Sequence, residues 1–223
     1  MRGWLKLTIG LAVIAGLLIG ADRVAVGVVQ DEAADKLVSS GRLSTRPDVS
    51  IDGFPFLTQA LAGRFDSVRL SGAGATVSDG RQQAALTSFS ARLSGVELGD
   101  GYRSATVRSG TGSGLISYPD LAKLIQGAQR IDLSYGGPGK VKASVAGVEL
   151  GQGNVHSSGN TIAADGFQLA GIGSLLGGQA NAALGPRSFT LTDLPAGLSL
   201  ASAAPQPDGL LLSFQGSNLK LIG

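Results

Sequence analysis

With 223 residues, 35 of them glycine and none cysteine, the chain excludes a disulfide framework, zinc–cysteine sites and iron–sulfur clusters. Its 18 Lys+Arg stand against 16 Asp+Glu, and the basic residues form no run and no aromatic-interleaved patch, so the signature of a nucleic-acid partner is absent. The glycines have no collagen-like period and lie between alternating apolar runs, a pattern of many short strands joined or bent at glycine.

Arg2 and Lys6 precede an uncharged apolar run over residues 7–21, a basic region followed by an apolar one, as in export signals. Two readings stay open. One is a signal peptide cleaved after Ala21, although Ile19-Gly20-Ala21 is a poor small-x-small site. The other is an uncleaved signal anchor, favoured by the amphipathic segment that follows. Positive residues before the run place the N-terminus in the cytoplasm and the remaining chain on the periplasmic side of the plasma membrane. The expected division is residues 1–21 as targeting segment and 22–223 as one domain.

Residues 22–39 predict a helix, with Val26, Val29, Ala33 and Leu37 on one face and Gly41 as its stop. Residues 47–53 predict a strand with Val49 and Ile51 on one side. Phe54-Pro55-Phe56-Leu57 follows, then a helical turn through Leu61 ending at Gly63. Beyond it the chain reads mostly as strands. Five times an alternating apolar run meets a glycine and its parity flips, at Gly72, Gly95, Gly147, Gly166 and Gly216. A one-residue shift sends later side chains to the other face, and a glycine bulge does this while bending the strand. Hairpin turns give the same signal, and Asp165-Gly166 suits one. About three of the five are expected to be bends. Residues 117–129 predict a helix capped by Ser117, residues 174–184 a short Ala-rich helix, and residues 200–209, with Pro205 and Pro207, a loop.

Catalytic chemistry finds little support. His156 is the sole histidine and falls in a predicted turn. No Gly-x-Ser-x-Gly elbow is present, and a histidine-dependent metal site lacks companions. Asp31, Glu32 and Asp35 read as a solvated helix face. Asp48 and Asp52 share one strand surface without marking an acid/base pair. The glycines of residues 171–177 mimic a dinucleotide loop, but too little chain follows for the parallel sheet such a loop serves. Arg42, Arg46, Arg64 and Arg69 gather around the Phe-Pro-Phe turn, either as scattered solvated side chains or as partners for anionic headgroups.

The stretch Pro47-Asp48-Val49-Ser50-Ile51-Asp52-Gly53-Phe54-Pro55-Phe56-Leu57-Thr58-Gln59 follows an apolar segment and a first helix. A second block, Leu191-Thr192-Asp193-Leu194-Pro195-Ala196-Gly197-Leu198, precedes Asp208-Gly209-Leu210 and a terminal apolar strand. Together they resemble the LmeA-like phospholipid-binding proteins of actinobacterial cell envelopes, over residues 20–223. The resemblance implies an α+β fold of the TULIP-like kind, a strongly curved antiparallel sheet wrapping a long helix. It also implies phospholipid binding in the envelope and a supporting role in lipoglycan maturation, with no catalytic residues.

The residues themselves agree on one point: a curled sheet with an apolar concave face offers a groove suited to acyl chains. The expected function is non-enzymatic phospholipid binding or transfer, with phospholipid and membrane as partners and no cofactor or metal. Phe54, Phe56, Leu57 and Leu61 are the candidate lipid contacts, with ordinary core packing as the competing role. The alternatives are a scaffold that partners an envelope glycosyltransferase without binding lipid, and a hydrolase that depends on His156.

Overall fold

The computed structural model describes residues 2–39, 43–78, 80, 82–99, 104–125, 131–170, 187–192 and 194–222, with side chains described from 15 to 220. A single helix, α1 (Arg2–Ser39), joins the apolar segment to the amphipathic one. Strand β1 (Asp48–Asp52) and helix α2 (Phe56–Ala62) stand where the sequence puts them. There follow β2 (Arg64–Gly72), β3 (Thr76–Ser78), β4 (Gln83–Ala85), β5 (Ser88–Gly99) and β6 (Ser104–Ile116). Helix α3 (Tyr118–Ile125) precedes β7 (Asp132–Tyr135), β8 (Lys140–Val145), β9 (Val148–Ser158) and β10 (Thr161–Leu169). Strands β11 (Arg187–Thr190), β12 (Ala196–Gln206) and β13 (Gly209–Ile222) complete the described chain.

The fold is mixed α+β. Strands β1-β2-β5-β6-β13-β12 form a curled half-barrel, β11-β10-β9-β8-β7 form a second sheet, and β3-β4 a small third. The pairings within all three are antiparallel. The core divides in two. Phe56, Phe65, Val96, Val107, Leu219 and α1 Val26 fill one end of the half-barrel. Ile116, Leu210, Leu212, Leu121, Val141, Ile162 and Phe189 join the other end to α3 and the second sheet.

The parity flips resolve into different structures. Gly72 ends β2, and Ala146-Gly147, with φ of 50° and 80°, make the two-residue hairpin turn between β8 and β9. Gly166 is a bulge within β10, where the register against β9 shifts between Asp165 and Gln168. Gly95 and the Gly216 region are bends inside β5 and β13. Three bends and two strand ends result, although Asp165-Gly166 is not the turn it resembles.

The bend at Gly95 belongs to a row. Inward side chains jump from Phe65 to Val68 on β2, Leu93 to Val96 on β5, Val107 to Gly110 on β6 and Gly216 to Leu219 on β13. In each strand two successive residues leave the inner face together. Because all four do so in the same row, register is kept: Phe65 stays opposite Val96 and Ser67 opposite Ser94, while Val107 faces Leu219 and Ser109 faces Ser217. Gly95 (φ 63°) and Asn218 (φ 52°) supply left-handed conformations within the row.

Two expectations need correction. The predicted loop at 200–209 is the end of β12, a tight turn and the start of β13. Pro205 is tolerated because β12 is the edge strand of its sheet, where a missing N–H breaks no ladder on the open side. His156 lies within β9 opposite Ala163, not in a turn; the turn comes at Gly159-Asn160. Helix α3 is capped by Ser117, whose Oγ accepts from the Asp120 N–H at 3.2 Å, but it is described only to Ile125. The expected helix at 174–184 and the glycine loop at 171–177 lie outside the described residues.

Gly95→Ala tests the aligned bend. Its Cβ would meet Arg108 Cβ at 3.0 Å in a left-handed conformation. Chemical denaturation is expected to show a loss of about 1 kcal/mol or more, because alanine at positive φ is strained.

Candidate functional site

Among the described residues, the apolar face of the half-barrel is covered at both ends but not between them. One row runs across five strands as Val49, Leu70, Ala91, Gly112 and Phe214, each opposite the next. All five are only partly buried, whereas Val107 and Leu212 in the filled ends are fully covered. The row spans four strand spacings, roughly 19 Å at about 4.8 Å each. Ala91 and Gly112 at its centre leave it shallow-walled. Gly112 has only Ser90 and Ala91 of the paired strand within 4 Å of where a Cβ would lie, among the described residues. The five residues form a partly exposed apolar trough.

One edge of the sheet carries the loop between β1 and α2. Gly53 (φ 108°) starts it; a Cβ there would collide with the Gln59 amide. That amide ties the loop down, accepting from the Asp66 N–H at 2.9 Å. The Phe54-Pro55 peptide is cis. Phe56 turns inward, 2% exposed, and stacks on Phe65 with ring centroids 6.0 Å apart. Gly63 closes α2 in the left-handed conformation, its N–H donating to the Ala60 carbonyl.

Asp22 of α1 fixes this corner. It is the buried charged side chain among the described residues, 2% exposed. Its Oδ1 accepts from the Leu57 N–H at 2.8 Å, and its Oδ2 accepts from Arg23 at 2.7 Å. Pro55, at the cap position of α2, has no side chain to do this work, so Asp22 caps the helix from another element. Burial opposes ionisation of Asp22. The N–H groups of Leu57 and Phe56 and the Arg23 guanidinium outweigh it and hold the carboxyl below its ordinary value. Arg23 in turn lies over the Phe54 ring, 5.3 Å from its centroid.

Of the four candidate lipid contacts, the corner presents three outward: Phe54 (61% exposed), Leu57 (39%) and Leu61 (90%). Phe56 serves the core. Leu17, Leu18, Ile19, Val24 and Val28 of α1 are exposed as well, so nearly all large exposed apolar side chains described lie on α1 and this corner. Single exposed hydrophobics need no explanation, but a confined apolar surface marks an interaction site.

The suspected arginine cluster does not form a free basic patch. Arg46 donates to Asp31 and Asp35, both at 2.8 Å, and so ties the chain before β1 to α1. Arg69 is held by Asp52, and Arg64 lies 3.3 Å from Glu97. Arg42 lies outside the described residues. His156 Nε2 sits 3.8 Å from Asp165, both half exposed. No group of three or more potential metal ligands occurs among the described residues. No helix there is long and apolar enough to cross a membrane.

The sequence did not single out Asp22, and it led to an apolar groove without the residues that line it. Asp22 read as the polar start of an amphipathic segment; its position on the same stripe as Val26 and Ala33 was the available signal. The trough required strand order, because parity alone cannot say which strands are neighbours.

The Asp22 cap sets a pH response. A carboxyl with lowered pKa stabilises the fold above its ordinary value near 3.8 and loses that contribution as pH falls through its folded value. Hydrogen exchange at residues 54–62 is expected to accelerate as pH drops below about 4, after correction for intrinsic exchange. Asp22→Asn should exchange faster at pH 7 and lose most of the acid-dependent step. An unchanged acid response in that variant would place the titration elsewhere, for instance at Asp52 or Asp120, whose carboxyls are also lowered.

A family model described as LmeA-like phospholipid-binding matches residues 20–215. No curated protein and no solved structure matches the chain.

Proposed function

The chain belongs to the LmeA-like phospholipid-binding family, and on that basis we propose that it binds phospholipid without catalysing a reaction on it. The observation that carries the reading is the partly buried apolar row Val49-Leu70-Ala91-Gly112-Phe214 between two filled ends of the half-barrel. An acyl chain laid along that row gains about 0.8 kcal/mol per buried methylene. Ten methylenes give roughly 8 kcal/mol before the costs of association, enough for useful affinity without a dedicated polar site. A TULIP-like arrangement, with α1 as the helix against the curled sheet, belongs to the same proposal.

The exposed corner would serve as the contact with a membrane. Phe54, Leu57 and Leu61 would enter the headgroup boundary, with Arg23 beside them at the phosphate level. The segment before Asp22 would hold the domain near the periplasmic face of the plasma membrane, whether as anchor or before cleavage. Transfer of the bound lipid, and support of lipoglycan maturation, extend the same reading.

Two variants separate docking from binding. Leu61 is 90% exposed, so Leu61→Glu should leave thermal stability unchanged and weaken co-sedimentation with phospholipid vesicles about tenfold. Ala91→Phe should fill the trough and reduce phospholipid retained in native mass spectra, with vesicle docking largely intact. A wild-type protein that carries no phospholipid after detergent-free purification, and extracts none from vesicles, would overturn the proposal and favour the scaffold role.

A further inference from the structure

The opposite face of the half-barrel holds a second groove of different character. Its volume is about 490 Å3, and its lining includes Asp48, Arg69, Arg92 and the hydroxyls of Ser50, Ser71, Ser90, Thr111 and Ser113. Register arranges these side chains in two rows. Asp48, Ser71, Ser90 and Ser113 are consecutive partners across four strands, and so are Ser50, Arg69, Arg92 and Thr111. Alternation places both rows on the face away from Val49, Leu70 and Ala91. The floor between them is the backbone of the trough residues.

The charges are not equivalent. Arg69 is committed to Asp52, with its Nε donating at 2.9 Å. Arg92 makes no ion pair within 4 Å among the described residues, although its charge reaches Asp52, and its exposed side chain lines the groove. One guanidinium that no carboxylate holds by a direct contact matches one anionic group, and its planar donors suit phosphate oxygens. The flanking hydroxyls, and the Asp48 carboxylate as an acceptor, match a ligand that carries several hydroxyls. No aromatic platform lines the groove, which disfavours a neutral sugar held by stacking.

We propose that this groove binds the phosphate ester of a polyol, with the phosphate on Arg92 and the hydroxyls on Asp48 and the serine rows. Two sources share that chemistry: a free sugar phosphate and a lipid headgroup such as phosphoglycerol. The site does not depend on the acyl trough, which lies on the other side of the sheet.

The test uses the full chain with saturation-transfer NMR against glucose 1-phosphate, glucose and inorganic phosphate. Glucose 1-phosphate is expected to bind more tightly than either fragment. Arg92→Gln should weaken it about tenfold or more, the loss of one charge-assisted contact, with no effect on glucose. Thr111→Val should weaken glucose and glucose 1-phosphate alike. A second arm compares vesicles of phosphatidylcholine with vesicles containing one part in five phosphatidylglycerol. Loss of the phosphatidylglycerol preference in Arg92→Gln identifies the headgroup as a source; loss confined to glucose 1-phosphate identifies the free ester. Equal binding of all probes by wild type and Arg92→Gln, or no binding of any, overturns the proposal. Leu61→Glu lowers docking to both vesicle types, so failure of this site and failure of the acyl-binding reading are distinguishable.

Discussion

The half-barrel keeps one apolar face along its whole length because four neighbouring strands reverse their pleat in the same row. A reversal in one strand alone would send its apolar side chains to the wrong face or shift its register against both neighbours. Here Asp66, Gly95, Arg108 and Asn218 share the row, and pairing resumes unchanged on either side. The row also separates two environments. Beyond it, Phe65, Val96, Val107 and Leu219 meet α1 and Phe56. Before it, the inner face opens into the trough and then closes again against α3 and the second sheet.

The first of these environments is tied to the corner by Asp22. A buried carboxylate is costly unless it is paired and hydrogen-bonded. Asp22 meets both conditions by accepting from the start of α2 and from Arg23. The same contact fixes where α1 crosses the corner, and so which side chains are left outside. Phe56 goes into the core, while Phe54, Leu57 and Leu61 cannot follow it. The exposed apolar corner and the core packing are therefore set by one arrangement of the Gly-Phe-Pro-Phe-Leu segment, from Gly53 to Leu57.

Local features of this arrangement were legible in the sequence. The span of β1, the end of α2 at Gly63 and the Ser117 cap follow from alternation, glycine and capping chemistry, which act over a few residues. The aligned reversal was legible only in part. Gly95 and Gly216 announce it on β5 and β13, but β2 carries Asp66 in the row. On β6 the inward positions beyond it are Gly110, Gly112 and Gly114, which leave no apolar parity to read. The 200–209 segment misled because two prolines signal a loop unless the strand is known to be an edge. The division of Phe54, Phe56, Leu57 and Leu61 between surface and core depended on Asp22, more than 30 residues away in sequence.

The three inward glycines of β6 are not filled alike. A Cβ on Gly110 would lie 2.7 Å from Leu219 Cδ1, and one on Gly114 would lie 2.7 Å from Leu86 Cδ1. At both positions a neighbouring leucine already occupies the space that glycine leaves, as close-packed interiors require. Gly112 lies between them and receives no such side chain among the described residues. Its neighbours in the row, Ala91 and Leu70, are not drawn in to fill the gap and stay partly exposed. Among the described residues an apolar row thus stays partly exposed between two well-packed clusters. A protein that shelters an acyl chain needs such a row, and needs small side chains at its centre.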